Sequence, residues 1–270
     1  MNKDKKPKIG RKLLSVIVPV YREEKIIERS LREIENALKQ IRHDYEIICV
    51  IDGDTDKSYQ NARKVKSSKT RILRYRENRG KGYAIRYGMA RARGDLVAFI
   101  DAGMDLDPNG LSMLLEHMEW YHADIIVGSK RHPASEVNYP LPRFILSFIT
   151  QMIVWILFGL KVKDTQVGLK VFRREVLEDV LPRLLMKRWA FDVELLVVAR
   201  KVGYNKIYEA PVKLTEKFSS NVKIFGSNGI WKSGIDVLAI FYRLYLVRYY
   251  ESYNKRKWDC DPKLAFSKSK

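Results

Sequence analysis

L-L-S-V-I-V-P-V (13–20) and Y-E-I-I-C-V-I (45–51) are short apolar runs rich in β-branched residues, the pattern of strands buried on both faces. Between them Ile27, Leu31, Ile34, Leu38 and Ile41 recur at spacings of four and three, which lines one face of a helix with apolar side chains. Together they form a β-α-β unit, and that unit decides the fold class. The alternation continues outward: 71–75 reads as a strand, 82–92 as a helix, 95–100 as a strand, 109–122 as a helix and 124–127 as a strand. A chain that alternates in this way is α/β, with a mostly parallel sheet and flanking helices.

Ligands of such sheets bind beyond the carboxyl ends of the strands. The first strand ends in P-V-Y-R-E-E (19–24), the second in D-G-D-T-D (52–56) and the fourth in D-A-G-M-D-L-D (101–107). After the third strand, E-N-R-G-K-G (77–82) leads into a helix, so its glycines permit close backbone approach and Lys81 can meet an anion. Taken singly, Asp52-Gly53 is a turn and Gly80-Lys81-Gly82 a flexible helix start. Their joint placement at successive strand ends points to one ligand crevice.

The chain carries 51 Lys and Arg against 32 Asp and Glu in 270 residues, a net charge of +19, so its partner or surface is negative. The two cysteines, Cys49 in an apolar run and Cys260 in a polar tail, make neither a disulfide framework nor a zinc site, and suit a reducing setting. The basic stretch 1–12 is not followed by the apolar run and cleavage site of a secretory signal, and reads as a solvated, membrane-touching arm.

Residues 144–160 hold no charge over 17 positions, fewer than the about 20 that a membrane span needs. They read as a helix, either buried or lying in a membrane interface. Residues 169–172 then read as a strand, 188–196 as the opening of an amphipathic helix and 207–214 as an edge strand. Residues 235–250 are apolar and aromatic with Arg243 and Arg248 among them, which suits the headgroup region of a bilayer and equally a packed helix pair or a dimer face. Two such segments on a strongly basic chain favour membrane contact.

Read in order, V-I-V-P-V-Y-R-E-E, V-I-D-G-D-T-D, E-N-R-G-K-G-Y-A-I-R-Y-G-M, F-I-D-A-G-M-D and V-G-S-K-R resemble the nucleotide-sugar domain of inverting GT-A glycosyltransferases, the family that includes dolichyl-phosphate mannose and glucose synthases. D-T-Q-V-G-L-K-V-F and R-W-A-F-D-V-E-L-L look most like the dolichyl-phosphate glucosyltransferase branch. Leu185 stands where a Q-x-x-R-W signature needs glutamine, which speaks against a processive polysaccharide synthase. The resemblance implies a Rossmann-like GT-A domain over 13–215, preceded by the basic arm 1–12 and followed by a membrane-associating amphipathic, basic and aromatic segment, 216–270.

The resemblance further implies that Pro19, Tyr21 and Glu23 line the nucleotide pocket, that Asp52 accepts from the base or ribose, and that Lys81 lies beside the nucleotide. The family's D-x-D and the metal-facing position two residues on fall here on Asp101, Gly103 and Asp105. Asp101 and Asp105 are then expected to share the ion. A hard divalent cation on carboxylate oxygens, Mg²⁺ or Mn²⁺, neutralises the charge a departing nucleoside diphosphate develops. A polyprenyl phosphate acceptor is already ionised near neutral pH, so it needs positioning more than a general base. Lys130, Arg131, Arg143 and Ser147 are the positions the resemblance assigns to that phosphate. Asp164 and Asp192 read either as a base or orienter of sugar hydroxyls, or as a turn cap and a first-turn helix carboxylate.

The leading expectation is therefore a membrane-associated enzyme on the cytoplasmic face that moves a hexose to a polyprenyl phosphate with inversion. UDP-glucose is the favoured donor and GDP-mannose a possible one. A GlcNAc donor, a non-lipid acceptor and a non-catalytic nucleotide-sugar sensor are alternatives. A nucleic-acid-binding module fits the charge, but leaves aspartates at three strand ends facing phosphates.

Overall fold

The computed structural model describes residues 12–136, 141–188, 190–215, 227–258, 261–264 and 266, with 141–147, 227–233, 256, 257 and 262 described by backbone alone. The basic arm up to residue 11 and the stretch 216–226 lie outside the described residues.

Seven strands form the sheet: β1 Leu13–Val20, β2 Asp44–Asp52, β3 Thr70–Tyr75, β4 Leu96–Ile100, β5 Ile125–Ser129, β6 Leu169–Arg173 and β7 Ile207–Pro211. Among the described residues eight α-helices accompany them: α1 Ile27–Leu38, α2 Ser58–Ala62, α3 Lys81–Met89, α4 Gly110–Trp120, α5 Leu141–Phe158, α6 Arg174–Val180, α7 Phe191–Lys201 and α8 Ser227–Phe241. The strand order is β3-β2-β1-β4-β6-β5-β7. Pairing is parallel except around β6, which runs antiparallel to both β4 and β5. The expected mostly parallel sheet is present, with this one reversed strand inside it, and 207–211 forms the edge strand.

The apolar stripe of α1 behaves as its spacing requires, for Ile27, Leu31, Ile34 and Leu38 are all buried. Strand order moves from β1 outward through β2 to β3, then returns across β1 to β4. Right-handed crossovers consequently place α1 and α3 on opposite faces of the sheet. The reversal makes the space beyond β1 and β4 a topological switch point, where a crevice opens between diverging loops. Because β6 reverses between β4 and β5, the carboxyl ends of β1, β2, β4 and β5 all lie at one edge. The amino end of β6 joins them there.

Two polar groups inside this core are fully partnered. Glu46 on β2 is 2 % exposed; its carboxylate accepts from Ser15 Oγ at 2.7 Å, from the Arg93 amide at 2.8 Å and from Arg93 Nε at 3.0 Å. Ser15 Oγ in turn accepts from the Gly94 amide at 2.8 Å, so β1, β2 and the turn before β4 are tied together. His43 lies in a loop but is buried beside Glu119. Cys49 is buried in β2, where burial pushes its thiol up to about 12 and leaves it inert.

Burial acts to raise the pKa of Glu46, yet the hydrogen bonds of Ser15 and Arg93 outweigh it and hold the group below its ordinary 4.5. A depressed folded-state pKa adds stability above the unfolded value that is lost as pH falls through the folded one. Glu46→Gln is therefore expected to cost about 1–3 kcal/mol at pH 7. In urea melts, its deficit relative to wild type should shrink steadily as pH falls below the ordinary 4.5 of this carboxyl.

Candidate nucleotide-binding and transfer site

Asp101 follows the last residue of β4 and stands at the switch point. Its backbone amide donates to Gly168 O at 3.0 Å, continuing the β4–β6 ladder by one step. A β-carbon on Gly168 would lie 2.0 Å from Asp101 Oδ2. The glycine of D-T-Q-V-G therefore makes room for this carboxylate, a contact between segments more than sixty positions apart.

Lys81, at the start of α3, meets Asp101 from the other side: its Nζ lies 2.8 Å from both carboxylate oxygens. Burial opposes the charge on Lys81, but Asp101, Asp192 and Asp105 outweigh it and hold its pKa above the ordinary lysine value. The loop that delivers Lys81 is caged. Gly80 has φ +94°, and a β-carbon there would sit 2.5 Å from Lys187 O. Gly82 would similarly drive into Phe191 at 2.6 Å. Only glycine satisfies both the backbone angle and the close approach at position 80.

Asp52 fixes the same loop from the sheet. It is 2 % exposed, and its two carboxylate oxygens accept from the amides of Arg79 at 2.7 Å and Gly80 at 2.9 Å. Asp52, expected to accept from base or ribose, thus also holds the backbone of the Lys81 loop, with one donor on each oxygen. The neighbouring acids of D-G-D-T-D are structural as well: Asp54 pairs with Arg74 at 3.0 Å, and Asp56 accepts from the Ser58 and Glu24 amides. Asp107 likewise accepts from the Asn109 amide at 2.9 Å, an Asx turn leading into α4.

Pro19, next to last in β1, is half-buried, Tyr21 is exposed beneath the Arg22 guanidinium, and the Glu23 amide donates to Ser58 Oγ at 2.9 Å. Glu23 is pushed above the usual carboxylate range by burial, then by Asp105, Asp56 and Asp101. Carboxylates thus converge in one field where an added cation would relieve repulsion. Arg22 and Met104, both with positive φ (58° and 55°), hold strained backbone in the two loops that carry these acids. The second loop is clipped from outside: the Asp107 amide donates to Lys213 O at 2.9 Å and the Thr215 amide to Asp105 O at 3.1 Å.

Among the described residues, no three His, Cys, Asp or Glu side chains form a group able to hold a metal alone. Asp101 and Asp105 offer oxygen donors of the kind a hard divalent ion takes, and both act on Lys81. Gly103 faces open space, so the missing carboxylate of the D-x-D leaves room there.

Of the two readings of Asp192, base or orienter against first-turn helix carboxylate, the structure favours the second: it stands in the first turn of α7, is 3 % exposed, and its Oδ1 lies 2.6 Å from Nζ of the fully buried Lys170. Lys170 also donates to Val167 O at 2.8 Å. A carboxylate paired this closely has its charge committed, so Asp192 is a support beneath the Lys81–Asp101 pair. Asp164 is half-buried; its Oδ2 accepts from the Lys130 amide at 3.2 Å, and its own amide donates to Glu209 Oε1 on β7. Lys130 and Arg131 follow β5 and open onto the same sheet edge as Asp101. Arg131 bonds Gln151 and Lys163 O, and stacks 5.3 Å over Phe148 of α5. Arg143 and Ser147 lie on α5, but their side chains fall outside the described residues. The pairings of Lys170 with Asp192 and of Gly168 with Asp101 were missed in the sequence, although D-T-Q-V-G-L-K marked the segment that supplies both.

Beside Arg131, Phe148, Gln151, Met152, Trp155, Lys161 and Lys163 line a groove of about 360 Å³. The outer face of α5 is apolar and open, with Trp155 56 % and Ile156 65 % exposed. α8 packs against it through Phe158 and Phe241 and exposes Ile235, Leu238, Tyr242, Tyr245 and Leu246 along with the π-helical turn Tyr242–Leu246 that follows. No helix among the described residues is long and apolar enough to cross a membrane.

The family described as Glycosyl transferase family 2 matches residues 15–181. Dolichyl-phosphate beta-glucosyltransferase of Drosophila melanogaster is 35% identical over 251 residues, covering 87% of this chain and 76% of the relative. The protein of the same name from Mus musculus is 36% identical over 248 residues, 85% of this chain and 75% of the relative. Among solved structures, mannosyl-3-phosphoglycerate synthase from Rubrobacter xylanophilus superposes with a TM-score of 0.65 at 14% identity, over 89% of this chain and 76% of that one. Glucosyl-3-phosphoglycerate synthase from Mycobacterium tuberculosis, in complex with Mn²⁺, UDP and phosphoglyceric acid, gives 0.62 at 18% identity, over 86% and 78%. These two likenesses establish the fold.

The two glycines of the site should separate cleanly. Gly168→Ala is expected to turn Asp101 away from Lys81 and weaken Mn²⁺–UDP binding by about tenfold or more in calorimetry, the scale of one charge-assisted contact. Gly103→Ala, into open space, should change thermal stability by less than about 0.5 kcal/mol.

Proposed function

Because this chain is a member of glycosyl transferase family 2, we propose that it transfers glucose from UDP-glucose to a polyprenyl phosphate of the dolichyl type, with inversion, from the cytoplasmic face of a membrane. The observation that carries this reading is the placement, at one sheet edge, of an Asp101–Lys81 donor centre and of Arg131 beside an apolar, lysine-rimmed groove. A soluble acceptor gives such a groove no purpose. The relatives named above supply glucose and dolichyl phosphate as the substrates of the branch.

In the proposed reaction Pro19, Tyr21 and Glu23 line the nucleotide pocket, and Asp52 shapes it by holding the Arg79–Gly80 backbone. Lys81 places its ammonium at the diphosphate. Asp101 and Asp105 would hold Mg²⁺ or Mn²⁺, which when bound draws charge from the leaving diphosphate. An oxygen of the lipid phosphate forms the new bond at the anomeric carbon while the bond to UDP breaks, the electron pair leaving with UDP. The nucleophile carries no proton to remove, so a buried and paired Asp192 suits a reaction that needs no general base. Lys130 and Arg131, with Arg143 and Ser147 on α5, receive the acceptor phosphate; Asp164 sets the Lys130 backbone and faces the sugar. The isoprenoid tail lies along the exposed faces of α5 and α8, which bring Trp155 and Tyr245 to headgroup depth.

Purified protein given labelled UDP-glucose, Mn²⁺ and a polyprenyl phosphate should yield an organic-extractable labelled lipid that disappears with chelator. Label from GDP-mannose alone would reject glucose as the sugar, and label only on a water-soluble acceptor would reject the lipid. Asp101→Asn is expected to lower the rate at least about 100-fold with the fold intact by circular dichroism. Arg131→Ala should instead raise KM for lipid phosphate about tenfold and leave donor KM alone; a change confined to donor KM would remove Arg131 from the acceptor side.

A further inference from the structure

The chain beyond the apolar face turns back onto the body of the protein. Tyr249, Tyr250, Trp258 and Leu264 are buried against the core. Trp258 donates through Nε1 to Tyr249 O at 3.0 Å and receives the Arg183 guanidinium 4.2 Å over its ring. Farther along, Arg91 of the turn after α3 donates to Lys263 O at 2.6 Å and stacks on Tyr87. This strap therefore ends on α3, the helix whose first residue is Lys81.

Its end meets the loop that delivers Lys81. Asp261 Oδ2 accepts from Tyr83 Oη at 3.2 Å and stands 4.0 Å from Arg79 Nη1. Arg79 Nη1 donates to the same Tyr83 oxygen at 2.9 Å, with its guanidinium 5.0 Å over the Tyr83 ring. Tyr83 is buried edge-on against Tyr75, at 5.4 Å between centroids. The backbone of Arg79 is already held by Asp52 from the sheet side. The loop 79–83 is consequently gripped twice, by Asp52 from within and by Asp261 from outside, and Lys81 sits between the two grips.

We propose that Asp261 is a positioning residue for the nucleotide-sugar donor, fixing Arg79 and Tyr83 so that Lys81 and the amides at the head of α3 face the diphosphate. The inference rests on the donor-binding reading above. Asp261 touches no reacting atom and acts through the Arg79–Tyr83 pair. Burial raises the pKa of Tyr83 and Asp261 raises it further, so the phenol stays protonated and donates to the carboxylate across the working range. Asp261 has a second, local task, since its Oδ1 accepts from the Lys263 amide at 2.9 Å and closes the strap's last turn. The test has to separate the two, and asparagine does so: its one carbonyl oxygen can keep the turn while the charge and the second acceptor are lost.

With the full chain, UDP binding is measured by calorimetry in Mn²⁺, and initial rates are measured over UDP-glucose and polyprenyl phosphate separately. Asp261→Asn is expected to raise Kd for UDP and KM for UDP-glucose about tenfold, the usual weight of a hydrogen bond to a charged group, leaving kcat and the KM for lipid phosphate within about twofold. Asp261→Glu should restore most of the loss. Tyr83→Phe should match Asp261→Asn, and the double variant should be no worse than either single one, because both break one link. Unchanged donor KM in Asp261→Asn overturns the proposal while leaving the proposed reaction standing. So does an equal fall in melting temperature, kcat and both KM effects, which marks a strap that only stabilises. Failure of the wild type itself to bind UDP overturns the donor reading, and this inference with it.

Discussion

The contact on which the site depends is that of Lys81 with Asp101, and its strength comes from what lies behind it. An ammonium between two carboxylate oxygens at 2.8 Å is stable at a partly open position only if neither partner can swing away. Gly168 leaves the carboxylate one place to go, and the caged Gly80–Gly82 turn does the same for the lysine. Beneath them Lys170 and Asp192 form a second pair with almost no exposure. A buried pair contributes little net stability but is costly to break singly, so it constrains geometry more than it adds free energy. The upper pair is the one a phosphate can engage, and the lower pair keeps its field alternating in sign.

Seven aspartates crowd the strand ends and the segments behind them, and the fold divides them sharply. Asp54, Asp56 and Asp107 spend their oxygens on Arg74, on the Ser58 and Glu24 amides, and on the Asn109 amide. Asp52 and Asp192 are buried and hold other parts of the site in place. Asp101 instead meets Lys81, and Asp105 acts on the same lysine and on Glu23; the ion proposed for these two carboxylates would find room at Gly103 for phosphate oxygens. Burial, then Asp105, Asp56 and Asp101, raise the pKa of Glu23, so acids already crowd this crevice.

How far the sequence discloses this follows from the range of each signal. The alternating elements were legible because period 2 and period 3.6 are local, and the strand-end motifs because an α/β sheet sends them to one edge. The direction of β6 was not legible: 169–172 reads as a strand whichever way it runs, and only the excursion through α5 makes it return antiparallel beside β4. Asp192 reads correctly as a first-turn helix residue, yet its partner lies 22 positions earlier on another element. Asp52 was placed in the pocket by its motif, but nothing local tells that its oxygens are taken by amides 27 and 28 positions later. Glu46 looked like an ordinary strand residue, and its network is visible only once β1 and the 93–94 turn are assembled around it.

The same logic explains the end of the chain. Residues 235–250 were read as one segment suited to a bilayer, and the structure splits that stretch in two. Up to Val247 one face stays exposed through Ile235, Leu238, Tyr242, Tyr245 and Leu246 while Val237, Ile240 and Leu244 are buried, whereas Tyr249 and Tyr250 both turn inward, where the Tyr250 hydroxyl donates to the buried Glu194 at 2.8 Å. Glu194 also accepts from the Leu185 and Met186 amides, next to the Lys187 carbonyl that cages Gly80. Burial holds Glu194 above the usual carboxylate range, offset in part by those donors, so its hydrogen bonds are strong ones in a dry place. A continuous set of contacts thus joins the exposed apolar helices to the loop that carries Lys81. α5 and α8 therefore rest on the same body of side chains that fixes the Lys81 loop, and an apolar, lysine-rimmed face beside that crevice is what the proposed membrane-borne phosphate acceptor would require.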